Sequence, residues 1–103
     1  MNEEMIVMNI ILKAGEAKGY MYEALGKAKE GAFDEVNTLI EKADEVLGEA
    51  HHVQTSLLTR EANGEKINVS ILFVHAQDHL MTCMSEKNLI KEIIEMRKEK
   101  FSI

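Results

Sequence analysis

Proline and tryptophan are absent from the 103-residue chain, and cysteine occurs once, as Cys83. Without proline nothing breaks a helix outright, so glycine is left as the main punctuation. A single cysteine excludes an intrachain disulfide framework and a cysteine-rich zinc site, and it suits a reducing cytoplasm. Aromatics are also scarce, with two tyrosines and three phenylalanines. No apolar run approaches the roughly 20 residues needed to span a bilayer. Met1-Asn2-Glu3-Glu4 is acidic and lacks the charged start of a signal peptide. Basic residues are outnumbered, 12 against 18 acidic, for a net charge of −6. No basic patch is available to neutralise phosphates, which argues against nucleic acid and against an anionic membrane surface.

What is abundant is alanine, leucine, isoleucine, methionine, glutamate and lysine. These are strong helix formers, and they predict one all-α domain over residues 1–103. Three periodic stretches are expected, at about 3–30, 33–61 and 67–98, forming an antiparallel three-helix bundle. In the first, Ile6, Ile10, Ala14, Ala17, Met21, Ala24, Leu25 and Ala28 recur at helical spacing. Gly15 and Gly19 interrupt it and are expected to admit a closely packed neighbouring helix. Gly31 is placed to cap the end. The second stretch carries Val36, Leu39, Ile40, Ala43, Val46, Leu47, Ala50, Val53, Leu57 and Leu58. Its start lacks a good N-cap, since Ala32 stands where aspartate or serine would serve. Asp34 and Glu35 still favour the helix dipole there. Asn63-Gly64 marks the turn into the third stretch.

The third stretch has two halves. From Leu89 onward, Ile90, Ile93, Ile94 and Met96 alternate with charged residues, as in an amphipathic surface helix. From Ile71 to Met84 apolar residues occur on every face. Such a helix must be buried all round, and two partner helices cannot do that. An oligomer with the third helix at its centre is therefore expected.

Within that apolar segment lies one polar stripe. His75, Asp78, His79 and Thr82 stand at i, i+3, i+4 and i+7. Asp78 needs a partner if it is buried at an interface, because an isolated buried carboxylate is costly. Three readings of the stripe stay open on chemistry alone. A neutral imidazole is nucleophilic near neutral pH, so a histidine can relay a phosphoryl group, provided it lies at a cleft mouth that a partner can reach. The spacing His-x-x-Asp-His also presents a plausible metal set on one helical face. A plain buried polar cluster is the third. Gln77 lies about 200° round the helix from His75 and is expected to meet another helix or subunit. His51 and His52 read as ordinary helix residues, Cys83 as core, and the seven methionines as fillers of core gaps.

The chain resembles the IIA component of the lactose/cellobiose family of the bacterial phosphoenolpyruvate-dependent sugar phosphotransferase system, along nearly its whole length. The resemblance is carried by Ala14-Gly15-Glu16-Ala17, Ala28-Lys29-Glu30-Gly31, Ala50-His51 with Gln54-Thr55, and Glu61-Ala62-Asn63-Gly64-Glu65. Its most specific part is Val74-His75-Ala76-Gln77-Asp78-His79-Leu80-Met81-Thr82. It implies a homotrimer of three-helix subunits with the third helices on the three-fold axis. It implies that His75 takes a phosphoryl group from the phosphocarrier HPr and passes it to a cysteine of a IIB component. The sugar implied is a β-linked disaccharide, of cellobiose, chitobiose or lactose type, imported by a membrane IIC component. Contact with the membrane is thus indirect. Three copies of Asp78 would hold one divalent cation such as magnesium on the axis, with His79, Gln77 and Thr82 in supporting places. Two departures stand out: Cys83 where a small residue is common, and Ala32 where an acidic one is. The alternatives are a histidine phosphotransfer module of two-component signalling and a non-catalytic trimeric scaffold around a structural metal. The first fits poorly, because those modules usually carry lysine and glycine shortly after the histidine.

Overall fold

A computed structural model describes residues 3–101. Met1 and Asn2, which open the acidic N-terminal stretch, lie outside the described residues, as do Ser102 and Ile103. Three helices account for the fold: α1 (Glu3–Lys29), α2 (Phe33–Ala62) and α3 (Ile71–Phe101). No strand occurs among the described residues. Consecutive helices run antiparallel, so α1 and α3 are parallel. Lys13 pairs with Glu49 across α1 and α2 at 2.6 Å, and Tyr22 donates to Glu86 across α1 and α3 at 2.6 Å.

Helix α1 is the middle of the bundle. It packs along both partners, while α2 and α3 touch each other far less. Its buried stripe is Val7, Ile10, Ala14, Ala17, Met21, Ala24 and Ala28. Four alanines in that stripe let both neighbours approach closely. The stripe of α2 is Val36, Leu39, Ala43, Leu47, Ala50, Gln54 and Leu57. Helix α3 contributes Ala76, Leu80, Cys83, Ile90 and Ile94.

The turns follow the glycines. Gly31 has φ +79° and Gly64 φ +93°, a region that favours glycine. Each closes a Schellman turn. The Ala32 N–H reaches the Lys27 carbonyl at 3.0 Å, and the Glu65 N–H reaches the Arg60 carbonyl at 3.1 Å. Ala32 caps α2 with no side-chain hydrogen bond, as the sequence predicts.

Three expectations need correction. Helix α3 starts at Ile71, not near Ile67, and runs to Phe101, past Lys98. Ser70 is the reason for the start: its Oγ accepts from the Phe73 N–H at 3.0 Å, an N-cap. The methionines do not all fill the core. Met21 is buried and Met84 partly so, but Met5, Met8, Met81 and Met96 are exposed. Gly15 and Gly19 are exposed, and a Cβ on Gly19 would meet nothing within 4 Å. Gly19 is open rather than tightly packed within the protomer, whereas Gly15 has His79 of α3 in van der Waals range.

The molecule is a rod of 56 × 20 × 19 Å, with a radius of gyration of 16.2 Å. A compact domain of this length would have about 13 Å. The thin rod leaves apolar surface uncovered. On α3, Ile71, Val74, Met81, Leu89, Ile93 and Met96 are exposed, with Ile71 at 91%. The second half of α3 is therefore not a simple amphipathic helix: Ile90 and Ile94 face the bundle, and Leu89, Ile93 and Met96 face out.

Candidate phosphoryl-transfer site

The polar stripe lies on α3 where the sequence puts it, starting one turn beyond the Ser70 cap. His75 is exposed, His79 half-buried. Their rings are parallel, 3° apart in plane, with centroids 6.1 Å apart. This is the i, i+4 geometry of two side chains leaning the same way along one helical face. Behind them α1 offers Gly15, where an added Cβ would lie 4.0 Å from His79 Nε2. A larger residue there would crowd the imidazole.

Asp78 and Thr82 are exposed in the single chain. The Thr82 hydroxyl donates to the Asp78 backbone carbonyl at 2.6 Å. It therefore bends back onto its own helix and leaves the Asp78 carboxylate unaccompanied by it. Among the described residues no group of three or more His, Cys, Asp or Glu side chains could hold a metal ion. One chain offers one carboxylate, so any cation at Asp78 needs donors from further copies.

Gln77 points the other way. Its Oε1 accepts a hydrogen bond from Gln54 Nε2 on α2. Gln54 is the one buried polar side chain among the described residues, at 6% exposure. Meeting the adjacent helix is what the angular position of Gln77 predicts. The role of Gln54 was not read from periodicity, although the signal is there: it continues the stripe Ala43, Leu47, Ala50 and is followed by Leu57.

Glu86 completes the surroundings. It accepts from the Tyr22 hydroxyl at 2.6 Å and pairs with Lys18 at 3.5 Å. The Tyr22 hydrogen bond holds its carboxyl below the usual range against a smaller opposing effect of burial, with the charges of Lys18 and His79 adding to the lowering. The same contact pushes the Tyr22 phenol up. Cys83 is fully buried, its thiol pushed up by burial and then by the Glu86 charge, and its S–H meets the Ala14 carbonyl at 3.6 Å. It is a core residue. His51 and His52 are exposed on α2.

The description "PTS system, Lactose/Cellobiose specific IIA subunit" matches residues 5–98. The chain belongs to the lactose/cellobiose-specific IIA family. The galactose-specific EIIA component of Lactococcus lactis subsp. cremoris is 48% identical over 89 residues, 86% of this chain and 77% of that one. A crystal structure of the cellobiose-specific enzyme IIA from Bacillus anthracis superposes with a TM-score of 0.93 at 42% identity, covering 99% of this chain and 94% of that one. A solution structure of the chitobiose IIA–HPr complex of Escherichia coli gives 0.85 at 40% identity, covering 100% and 99%. In this IIA-family chain the motif segment Val74 to Thr82 thus occupies the first three turns of α3, with His75 on the outer surface.

Proposed function

We propose that this IIA-family protein is a cytoplasmic phosphocarrier that accepts a phosphoryl group from HPr on His75. It then passes the group to a cysteine of a cognate IIB component, for import of a β-linked disaccharide through IIC. The observation that carries the reading is the exposure of the His75 imidazole, stacked against His79, within the motif of α3. A relay must be reached by two partners in turn, and a buried ring could not be.

In the first step a neutral His75 ring nitrogen attacks the donor's phosphorus. The nitrogen–phosphorus bond forms as the donor's bond to phosphorus breaks; the donor side chain leaves without its phosphoryl group, and His75 becomes the phosphohistidine. In the second step the acceptor's thiolate attacks, a sulfur–phosphorus bond forms, and the imidazole departs. No strong base is required, because the leaving group in each step is itself stable. Partner docking is supported by the apolar side chains at the level of His75. Met5, Met8 and Leu12 on α1 are all exposed.

The assembly in this reading is a homotrimer about the outer face of α3. Uncovered Ile71, Val74, Met81, Leu89 and Met96 give that face an apolar seam, and contiguous exposed apolar surface is where copies or partners meet. Asp78 falls within the seam. Three copies would supply carboxylate oxygens, which suit a hard cation such as magnesium. Such an ion would offset the repulsion among the three charges.

The test is direct. The protein is incubated with phosphoenolpyruvate, enzyme I and HPr, and intact mass is followed for an acid-labile phosphate. The wild type should gain one phosphate per chain, and His75→Gln none. Labelling that persists in His75→Gln removes His75 from the mechanism, and an unlabelled wild type removes the function.

A further inference from the structure

We propose that Gln54 is a positioning residue for transfer at His75, acting through Gln77; this rests on the phosphocarrier reading above. The starting point is the weak seam between α2 and α3. Those two helices meet sparingly, and polar ties join them at two heights that matter here. Low on the bundle, Lys87 and Lys91 of α3 hold Asp44 of α2 at 3.0 and 3.1 Å. Beside the histidine stripe the tie is Gln54 to Gln77.

Where a helix sits can be fixed by bulky packing or by a directional bond. The first two turns of α3 have less of the former than the turn that follows, where Leu80 is fully buried. They follow an irregular linker over residues 65–70, and Ile71, Val74 and His75 are exposed. Ala76 is buried but presents one methyl group, which resists rotation weakly. Leu72 and Phe73 are only partly covered. The amide bridge is directional, and it pulls on Gln77, which stands about 200° from His75. Drawing Gln77 towards α2 therefore turns His75 and Asp78 outward. Holding that angle fixes how the His75 ring meets an incoming phosphoryl group, and transfer rates are steep in such alignment.

Burial makes the bridge discriminating. Gln54 is nine-tenths buried or more, so an apolar replacement strands the Gln77 amide, while a replacement that can hydrogen-bond does not. Losing its partner leaves the half-buried Gln77 amide unpaired on that side, so it seeks water and α3 can turn. Gln54→Met keeps length and shape but loses the bridge. Gln54→Glu can restore it in either protonation state: the carboxylate accepts from Gln77 Nε2 once that amide turns over, and the neutral acid donates to Gln77 Oε1.

The experiment follows single-turnover phosphorylation of His75 by phospho-HPr for the wild type, Gln54→Met and Gln54→Glu, with folding checked by circular dichroism. In Gln54→Met the rate at saturating donor should fall by about tenfold or more, with the half-saturating donor concentration unchanged within about twofold, since the docking residues are intact. Gln54→Glu should recover most of the rate. A merely structural role would lower the melting temperature of both variants and leave the saturated rate of folded protein alone. That outcome overturns the proposal, as does an equal loss of rate in the Met and Glu variants. Failure here is separable from failure of the carrier reading: an unlabelled wild type overturns both, whereas a labelled wild type with an unimpaired Gln54→Met overturns only the role of Gln54.

Discussion

Glu86 shows how a neighbouring hydroxyl can outweigh burial in tuning a group on this surface. Glu86 is held ionised by the Tyr22 hydroxyl first and by Lys18 and His79 after it. A carboxyl whose folded value is depressed stabilises the fold above its unfolded value, and that contribution is lost as pH falls through the folded value. Thermal melts of Glu86→Gln should therefore fall below the wild type near neutral pH, and the two curves should converge as pH falls through the depressed Glu86 value. A gap that stays constant far into acid would mean that Glu86 acts by packing. Gly15 gives a second test at this scale. With His79 Nε2 only 4.0 Å from an added Cβ, Gly15→Ala is sterically tolerable and Gly15→Leu is not. Phosphorylation of His75 should survive the first change and slow with the second, read by the same mass assay. His75, Asp78, His79 and Thr82 were legible because one helical face reads directly from spacing. Gln54 was passed over because a polar residue at a core position breaks the apolar pattern by which cores are found. Its partner Gln77 was placed correctly on a different face, yet nothing in spacing alone names the residue across an interhelical gap.

The helix ends depend on local chemistry that can be tampered with one residue at a time. Ser70→Ala removes the side-chain cap on α3 and should cost about 1 kcal/mol in chemical denaturation, with fraying confined to the turn that carries Phe73 and Val74. Gly31→Ala should cost more than a helix-propensity change of the same size would. The position has φ +79°, and the new Cβ would lie 3.0 Å from the Phe101 ring, which also packs edge-on to Phe33 at 5.6 Å. Gly31→Ala that melts with the wild type would show that the C-terminal turn of α3 yields freely. Two of the three helices were found within a residue or two from periodicity and glycine. The start of α3 was not, because Ile67 and Val69 extend the apolar pattern into a segment whose backbone is irregular. A cap is a hydrogen bond and leaves no periodic trace. The exposed methionines were misjudged for a related reason. Helical spacing shows which residues share a face, not whether that face is covered within one chain.

At the scale of the molecule the prediction concerns assembly. Sedimentation at micromolar concentration should give a trimer, and Asp78→Leu should remain one, because an apolar residue fits the seam of Val74 and Met81. If a cation bridges the three carboxylates, it stabilises the assembly by mass action. A chelator should then lower the melting temperature of the wild type and leave that of Asp78→Leu unmoved. Dispersed monomers in Asp78→Leu, or in the wild type, would contradict this arrangement. In the sequence the all-round apolar α3 calls for an oligomer; in the 56 Å rod its outer face stays uncovered by α1 and α2.

The central place of α1 also has a consequence in time. Contacts between α1 and α2 join segments linked by a tight turn at Gly31, so the entropy of closing that loop is small, whereas α3 must return across the whole length of α2. The α1–α2 hairpin should therefore form first, both in refolding and as the chain leaves the ribosome, with α3 docking onto a ready-made platform. Because α3 carries His75 and the exposed apolar face together, the newborn protein presents both only in that late event. Pulsed hydrogen exchange during refolding would see protection in Ala14, Ala17, Ala43 and Leu47 before Leu80 and Cys83.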